Sequence, residues 1–124
     1  MTSSLVSPRR DERAMVTAEA AVALPVLICV AFLLAWAVLL VGAQIQCGDA
    51  AREAARLLAR GDSEAVVEAA VQQIAPDGAR YTVQEHDELL VVTVEVSVAA
   101  DLPLVGALTG VELASQAASA VEAR

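Results

Sequence analysis

The chain has 124 residues, which allows one small folded domain with an added segment and excludes two independent domains. Hydrophobic residues make up 57% of the chain and aromatic residues only 2%, so the apolar excess is alanine, valine and leucine rather than the material of a thick core. The net charge of -8, with no lysine among the 8 basic residues, argues against a nucleic-acid partner because phosphate would be repelled.

The first predicted element is a membrane-spanning helix. From Ala20 to Ala43 no side chain is charged or strongly polar, and at helical rise this run reaches about 36 Å, enough for the roughly 30 Å of bilayer hydrocarbon. A buried helix in a soluble core would need cover on all sides, and the remaining residues are too few to provide it. Orientation does not follow from charge, because three arginines lie on each side of the run: Arg9, Arg10 and Arg13 against Arg52, Arg56 and Arg60.

Export signals share some features with this segment but fit it poorly. A secretory signal cut after Ala43 would have an apolar region of only about 7 to 15 residues. A lipoprotein signal needs a small residue directly before the cysteine, and neither cysteine follows one. The pair Arg9-Arg10 resembles a twin-arginine signal, yet the residues that follow it lack the expected apolar character. The sequence therefore favours an anchor that stays in the chain.

The helix is predicted to continue beyond the bilayer as a stalk. Strong helix formers follow the apolar run, and no proline occurs between it and Pro76. We therefore expect one rod from about Val16 to Arg60, some 65 Å long at helical rise. Arg60 followed by Gly61 is a typical C-terminal stop, a cation in the last turn and then a residue free to adopt positive φ.

The stalk has a charged side and an apolar side. Charges alternate in sign at spacings of three and four residues, which predicts local ion pairs among Asp49, Arg52, Glu53 and Arg56. The apolar side is flat and suits close approach either of another helix or of the protein's own folded end. It consists of Cys47, Ala50, Ala51, Ala54, Ala55 and Leu58.

The two cysteines cannot pair within this helix. Cys29 and Cys47 are separated by about 27 Å at helical rise, far beyond the reach of a disulfide. Cys29 is expected to fill apolar space. Cys47 is a candidate contact with a second chain in an oxidising compartment, and a buried free thiol is the alternative.

A small α+β domain is predicted after Gly61. A short helix over Glu64 to Ile74, capped by Asp62-Ser63, should end at the turn Pro76-Asp77-Gly78. Alternating apolar residues predict antiparallel strands at 79–85, 89–99 and 111–121, the first two joined at His86-Asp87-Glu88. The short helix and the lower part of the rod are the surfaces available to cover this sheet. The fold class is therefore α+β and shaped like a lollipop: a long N-terminal transmembrane helix continues into a stalk, followed by a short helix and a small antiparallel β-sheet.

Catalytic chemistry has little support in the sequence. The single histidine, His86, lies beside three acidic residues, but four consecutive residues on a hairpin tip cannot all point at one metal ion. No phosphate-binding glycine loop occurs, and no serine or cysteine has a histidine at a suggestive spacing. We predict no enzyme activity, no catalytic residue, no cofactor, no metal site and no small-molecule substrate.

Glu19 directly precedes the apolar run, and that run contains no basic residue that could pair with it. A carboxylate carried to the bilayer centre costs up to about 2.5 to 3.5 kcal/mol, and such groups usually have a cationic partner. Arg13 lies six residues back, on another helical face. If the chain were cut after Ala14, the new amino group of Met15 would lie four residues before Glu19, so cleavage would create the missing cation.

These residues resemble a known pattern. A short basic leader, a small residue, four further residues and a glutamate that opens a long apolar helix (here Ala14, MVTA and Glu19) is similar to the processing site of type IV prepilins and pseudopilins. The stretch VTAEAAVALPVL with its proline Pro25, the segment QIQCGDAAREAARLLARGD and the strand-rich tail resemble the TadE-like minor pilins of actinobacteria, associated with the tight-adherence (Tad) type IV pilus. The resemblance is strongest over 16–61, and Ala14 replaces the glycine that is commonest before the cut.

The resemblance implies both a processing event and an assembly contact. A prepilin peptidase on the cytoplasmic face would cut between Ala14 and Met15. Glu19 would then pair with the amino terminus of an adjacent subunit, while Pro25 would loosen the helix by removing a backbone donor. The implied partners are other pilin or pseudopilin subunits, the prepilin peptidase and the membrane platform that assembles the pilus.

The expected organisation follows from the same resemblance. It comprises a leader at 1–14, a transmembrane helix at 15–43, an amphipathic stalk helix at 44–60 and an extracytoplasmic α+β domain at 61–124. The protein would be a single-pass protein of the cell membrane with a cytoplasmic N-terminus. The alternative is an unprocessed envelope anchor that binds a protein partner through its strand domain.

Overall fold

The computed structural model describes residues 8–100 and 108–120. Contacts divide the chain into two units, Met1–Ala37 and Val38–Arg124. The described part of the first unit is helix alone, and the second unit contains the rest of that helix with all other elements. These elements are α1 (Pro8–Ala59), α2 (Glu64–Ile74), β1 (Arg80–His86), β2 (Leu89–Ala100) and β3 (Leu108–Ala120).

Helix α1 begins at Pro8, eight residues before the predicted start near Val16. The first turn suits these residues, because a proline there loses no helical hydrogen bond and the acidic Asp11 faces the positive end of the helix dipole. The predicted start near Val16 was therefore wrong. The helix begins at the upstream start signals and not where the sequence changes from polar to apolar. By length and composition α1 is able to cross a membrane.

The C-terminal end of α1 forms a Schellman motif. Gly61 has a φ of 79°, and its N–H donates to the carbonyl of Leu58 at 2.9 Å while the N–H of Asp62 donates to the carbonyl of Leu57 at 3.1 Å. This is the pair of bonds that a left-handed residue after the helix makes possible. The predicted stop at Gly61 is confirmed.

Helix α2 has the predicted bounds. The carbonyl of Ser63 accepts hydrogen bonds from the N–H groups of Val66 and Val67 at 3.0 and 3.1 Å. The hydroxyl of Ser63 makes no capping hydrogen bond, so the predicted side-chain cap is wrong and the backbone alone closes the first turn. Val67 and Val71 are buried, which confirms the face predicted from helical spacing.

The three strands form one antiparallel sheet in the order β1-β2-β3. His86 pairs with Leu89, so Asp87 and Glu88 form a two-residue turn, and both have positive φ, 44° and 69°. This geometry corresponds to a type I′ hairpin. The third strand is confirmed but begins at Leu108, earlier than predicted. The sequence predicts a loop at 100–110 between the second and third strands, and residues 101–107 of it lie outside the described residues.

The core lies between one face of the sheet and the two helices. The side chains of Val92, Val94 and Val96 on the central strand are 0, 0 and 5% exposed. They pack in one hydrophobic cluster with residues of α1 and α2, which confirms the predicted cover of the sheet. The remaining buried members of this cluster are Cys47, Ala50, Ala51, Ala54, Ala55, Leu57, Val67, Val71 and Ala75.

Candidate processing and assembly segment

The predicted processing site lies within α1. The bond between Ala14 and Met15 is part of a continuous helix, and the side chain of Met15 is 74% exposed. One turn around this bond is reinforced, because the hydroxyl of Thr17 donates a 2.8 Å hydrogen bond to the carbonyl of Arg13. The residues on both sides of the bond are thus accessible but held in helical geometry.

Glu19 is exposed and lies four residues after Met15 on α1. Residues at this spacing share a helical face. Among residues 8–100 and 108–120, no hydrogen bond or ion pair reaches its carboxylate: the three ion pairs in this part of the chain join Arg52, Arg56 and Arg60 to other acids. Within the described structure, the acid that opens the apolar run has no cationic partner.

Pro25 lies inside α1, and the helix continues through it. Proline has no N–H, so the carbonyl four residues earlier, that of Ala21, lacks its usual helical donor. Such a position is tolerated in membrane helices because local adjustments satisfy the freed carbonyl. Pro25 therefore lies six residues after Glu19 as a weak point in an otherwise regular helix.

Most of the apolar part of α1 is exposed, and residues 20–35 are exposed on every side of the helix. Between Val22 and Val41, 12 large apolar side chains have exposed fractions from 46% to 71%. Burying one such side chain is worth about 1.5 to 3 kcal/mol, so the total is on the order of 20 kcal/mol. This exceeds the whole stability of a typical small domain, about 5 to 15 kcal/mol, and the segment therefore requires lipid or other helices around it.

The apolar side of the stalk is covered by the protein's own sheet. Cys47, Ala50, Ala51 and Ala54 are 0% exposed. Of the two occupants that the sequence allowed, the chain's own folded end is the observed one. The predicted stripe needs one correction, because Leu57 is buried and Leu58 only partly so.

Cys47 is a free thiol inside this core. Burial raises its pKa above the usual value, which keeps the thiol protonated and unreactive. The sulfur is closed off from a second chain while the domain keeps this fold. The structure therefore corresponds to the buried free thiol rather than to the intermolecular contact that the sequence also allowed.

The charged side of the stalk carries the predicted ion pairs. Arg52 contacts Asp49 at 3.0 Å and Arg56 contacts Glu53 at 2.7 Å. The hydrogen bond from Arg56 lowers the pKa of the Glu53 carboxyl. Both pairs are exposed to water, where such contacts contribute little to stability.

Two residues that the sequence analysis missed connect α1 to the sheet. The side-chain amide of Gln44 donates a 3.0 Å hydrogen bond to the carbonyl of Ala114 on β3. At Gly48, an added β-carbon would lie 3.4 Å from the hydroxyl oxygen of Ser115. Both contacts join residues far apart in sequence, so local patterns do not predict them. The sequence shows only that Gln44 is the first polar residue after the apolar run and that Gly48 is a glycine within a helix.

His86 ends β1 and is exposed. Its two successors, Asp87 and Glu88, form the hairpin turn. Among the described residues, no three histidine, cysteine, aspartate or glutamate side chains lie close enough together to hold a metal ion.

The helix α1, which carries these residues, is also the part of the chain that is similar to a known family. The family model described as TadE-like protein matches residues 14–56. Over these residues the chain is similar to TadE-like proteins, and residues 14–56 are called the TadE-like segment below. The resemblance found in the sequence is thus confirmed for these residues, and the TadE-like segment contains Ala14, Met15, Glu19, Pro25 and Cys47. The TadE-like family is a pilus-associated family and not an enzyme family.

One curated relative is similar to part of the chain. It is the protein named Apoptosis inhibitor Rv3655c of Mycobacterium tuberculosis, 45% identical over 76 residues, which cover 61% of this chain and 60% of the relative. The match thus spans less than two thirds of the relative's length, and its name refers to apoptosis and not to a pilus. No solved structure shows significant similarity to the chain.

Proposed function

We propose that this protein is a minor pilin or pseudopilin of a tight-adherence type IV pilus system. A prepilin peptidase cuts it between Ala14 and Met15, and its N-terminal helix then packs against the helices of other subunits. The observation that carries this proposal is the position of Glu19. This acid has no cationic partner among residues 8–100 and 108–120, and it lies inside the TadE-like segment at the edge of an exposed apolar helix.

Cleavage before Met15 creates the positive charge that the Glu19 carboxylate needs for assembly. A carboxylate that enters an apolar environment without a cation is costly, and a charged hydrogen bond offsets that cost. The amino group freed at Met15 is such a cation, and it arises on the helical face of Glu19. In a row of staggered helices, the Glu19 carboxylate of one subunit meets the Met15 amino group of the next.

The domain's own packing limits where helices of different subunits make contact. From Cys47 onward the apolar face of α1 is buried in the core with the sheet and α2, while residues 22–35 are exposed on every side of the helix. Side-by-side packing of subunits therefore uses the part of α1 before Trp36. The peptidase, the other pilin subunits and the membrane assembly platform all engage this N-terminal part, and the domain from Val38 faces outward.

The first test is the intact mass of the protein recovered from its native host. A chain that starts at Met15 supports the proposal. A chain that still carries the first fourteen residues contradicts it and favours the alternative, an unprocessed envelope anchor that binds a protein partner through its strand domain. A chain that starts at Gln44 would indicate a cleaved export signal.

The second test separates the role of Glu19 from membrane insertion. Glu19→Gln keeps the shape of the side chain and removes the charge, so we expect normal insertion and loss of assembled fibres or of cross-linked subunit pairs. The matched control is Glu12→Gln, an acid in the leader that cleavage removes, and it should assemble normally. Normal assembly of the Glu19 variant would show that the charge pair is not needed.

A further inference from the structure

The segment Val38–Ile45 is apolar like a membrane helix but packs with the folded domain. By sequence it is mostly part of the apolar run, but by contacts it belongs to the same compact unit as the sheet. Leu40 and Ala43 are partly buried on the face that continues to Cys47. The outward face remains exposed: Val38 by 71%, Leu39 by 69%, Val41 by 60% and Ile45 by 58%.

Charged residues of the sheet lie at the level of the end of this segment. The hydrogen bond from Gln44 places Ala114 beside α1. Ala114 lies opposite Glu95 on β2, and Glu95 lies opposite Arg80 on β1. Glu95 and Arg80 are exposed, as is Glu112, two residues from Ala114 and thus about 7 Å along the strand.

These charges limit how far hydrocarbon can extend along α1. If the hydrocarbon layer reached Ala43, the row through Gln44, Ala114 and Glu95 would lie at its edge, where carboxylates are penalised. A shorter span is sufficient, because the 18 residues from Ala20 to Ala37 rise about 27 Å, close to the roughly 30 Å required. Trp36 lies at the end of this shorter span, and tryptophan is enriched at membrane–water interfaces.

The outward face of Val38–Ile45 then meets the layer just outside the hydrocarbon. This interfacial layer adds about 5 to 8 Å on each side of the bilayer. That depth takes in Val38, Leu39 and Val41, whereas Ile45, about 12 Å beyond Ala37 at helical rise, lies outside it. The row of sheet charges lies where water and headgroups solvate it. An apolar helix face with charged neighbours suits this layer better than either hydrocarbon or bulk water.

We propose that α1 leaves the hydrocarbon near Ala37, and that the exposed face of Val38, Leu39 and Val41 is a docking surface for the interfacial layer of the bilayer. The sheet, joined to the same stretch of helix through Gln44, then stands directly at the membrane surface without an intervening stalk. This inference requires that α1 enters a bilayer but does not depend on processing or on a role in a pilus.

The test is a depth measurement with nitroxide labels on the full chain in phosphatidylcholine bilayers. Single cysteines replace Leu34, Val41 or Val66 in a Cys29→Ala background, and Cys47 stays in place because it is buried. The unsubstituted background should take up no label. Depth is read from the ratio of collision rates with oxygen, which concentrates in hydrocarbon, and with a nickel complex, which stays in water.

Leu34 should report hydrocarbon and Val66, half exposed on α2, should report water, with Val41 between them near the phosphate level. A Val41 label as deep as Leu34 would overturn the proposal, and so would one as accessible to nickel as Val66. A Val41 label that is immobilised and reached by neither reagent would also overturn it, since a second protein chain would then cover this face. Leu39→Cys repeats the measurement if the Val41 variant folds poorly.

Discussion

The side-chain amide of Gln44 donates a hydrogen bond to the backbone carbonyl of Ala114, with nitrogen and oxygen 3.0 Å apart. Ala114 belongs to β3, which pairs with β2 and has no further strand beside it among the described residues. An edge strand has backbone groups without ladder partners, and a side chain from a neighbouring element can satisfy one of them. The hydrogen bond thus joins the end of the apolar run to the outer edge of the sheet.

Replacing Gln44 by alanine should loosen this edge. A neutral hydrogen bond contributes about 0.5 to 1.5 kcal/mol, and the lower part of that range is expected because the contact is exposed. Amide hydrogen exchange of the full chain in detergent micelles should show faster exchange in β3 and little change in α2. Gln72→Ala is the matched control, because among the described residues the side chain of Gln72 bonds only to Glu68 on its own helix. Equal effects of the two changes would contradict the assigned role.

Gly48 should tolerate a larger side chain far less well than Gly42. A β-carbon at Gly48 would already lie 3.4 Å from the hydroxyl of Ser115, whereas at Gly42 no atom of the described part of the chain would lie within 4 Å of it. Gly48→Val therefore overpacks the contact between helix and sheet, which costs typically 1 to 3 kcal/mol. Gly42→Val adds the same side chain to the same helix without a neighbour to displace.

The measurement is urea unfolding of the domain in detergent, followed by circular dichroism. We expect a lower midpoint for Gly48→Val and an unchanged or slightly higher midpoint for Gly42→Val, since valine is a better helix former than glycine. A loss of stability at Gly42 as large as at Gly48 would mean that helix propensity, and not contact with Ser115, decides the outcome.

The elements that the sequence predicted well are those with local signals. Helix α2 follows from apolar residues at helical spacing between Ser63 and the turn at Pro76, and the stop of α1 follows from Gly61. The start of β3 and the cover over Cys47 depend on contacts between distant segments, which periodicity does not encode. Alanine is a poor strand former, and β3 is a strand through its antiparallel pairing with β2.

For the candidate assembly site, the sequence predicts which residues take part but not the contact that they make. The sequence shows that Glu19 lacks a cation in its own run, and the structure shows no partner for it among the described residues. The physical reason is that the proposed partner belongs to another chain and arises only after a bond is cut. Folding one chain cannot reveal such a contact, so Glu19 and Met15 remain predictions to be tested in assembled material.

The β1–β2 turn contains a residue that the fold strains. Glu88 has a φ of 69°, in the left-handed region that glycine occupies without penalty and most other residues avoid. Glu88→Gly should therefore stabilise the hairpin by about 0.5 to 1 kcal/mol, seen as a higher melting temperature. Glu85→Gly, three residues earlier within β1, should instead lower it because glycine weakens a strand interior. The same sign for both changes would show that loss of an acid, and not turn geometry, is responsible.

The buried thiol of Cys47 should make the domain less stable in alkaline solution. Burial raises the pKa of Cys47 above the value of 9.0 that an unperturbed thiol has, so above that pH the unfolded chain loses its proton first and the folded state binds more protons. The stabilisation is complete below about pH 9 and is lost as the pH rises through the raised pKa of the folded state. Tyr81 acts in the same direction above pH 10.0, because burial and then the nearby Glu68 and Glu64 raise its pKa.

Urea midpoints of the full chain in detergent, measured at intervals from about pH 8 to pH 10, test this dependence on Cys47. The urea midpoint of the unsubstituted protein should fall across this range. Cys47→Ala should have a lower midpoint at pH 8 because of the space it leaves in the core, but that midpoint should fall clearly less as the pH rises. Cys29→Ala removes the thiol that lies outside the core and should keep the original slope. If Cys47→Ala declines as steeply as the unsubstituted protein, the alkaline loss arises elsewhere and Cys47 is not its source.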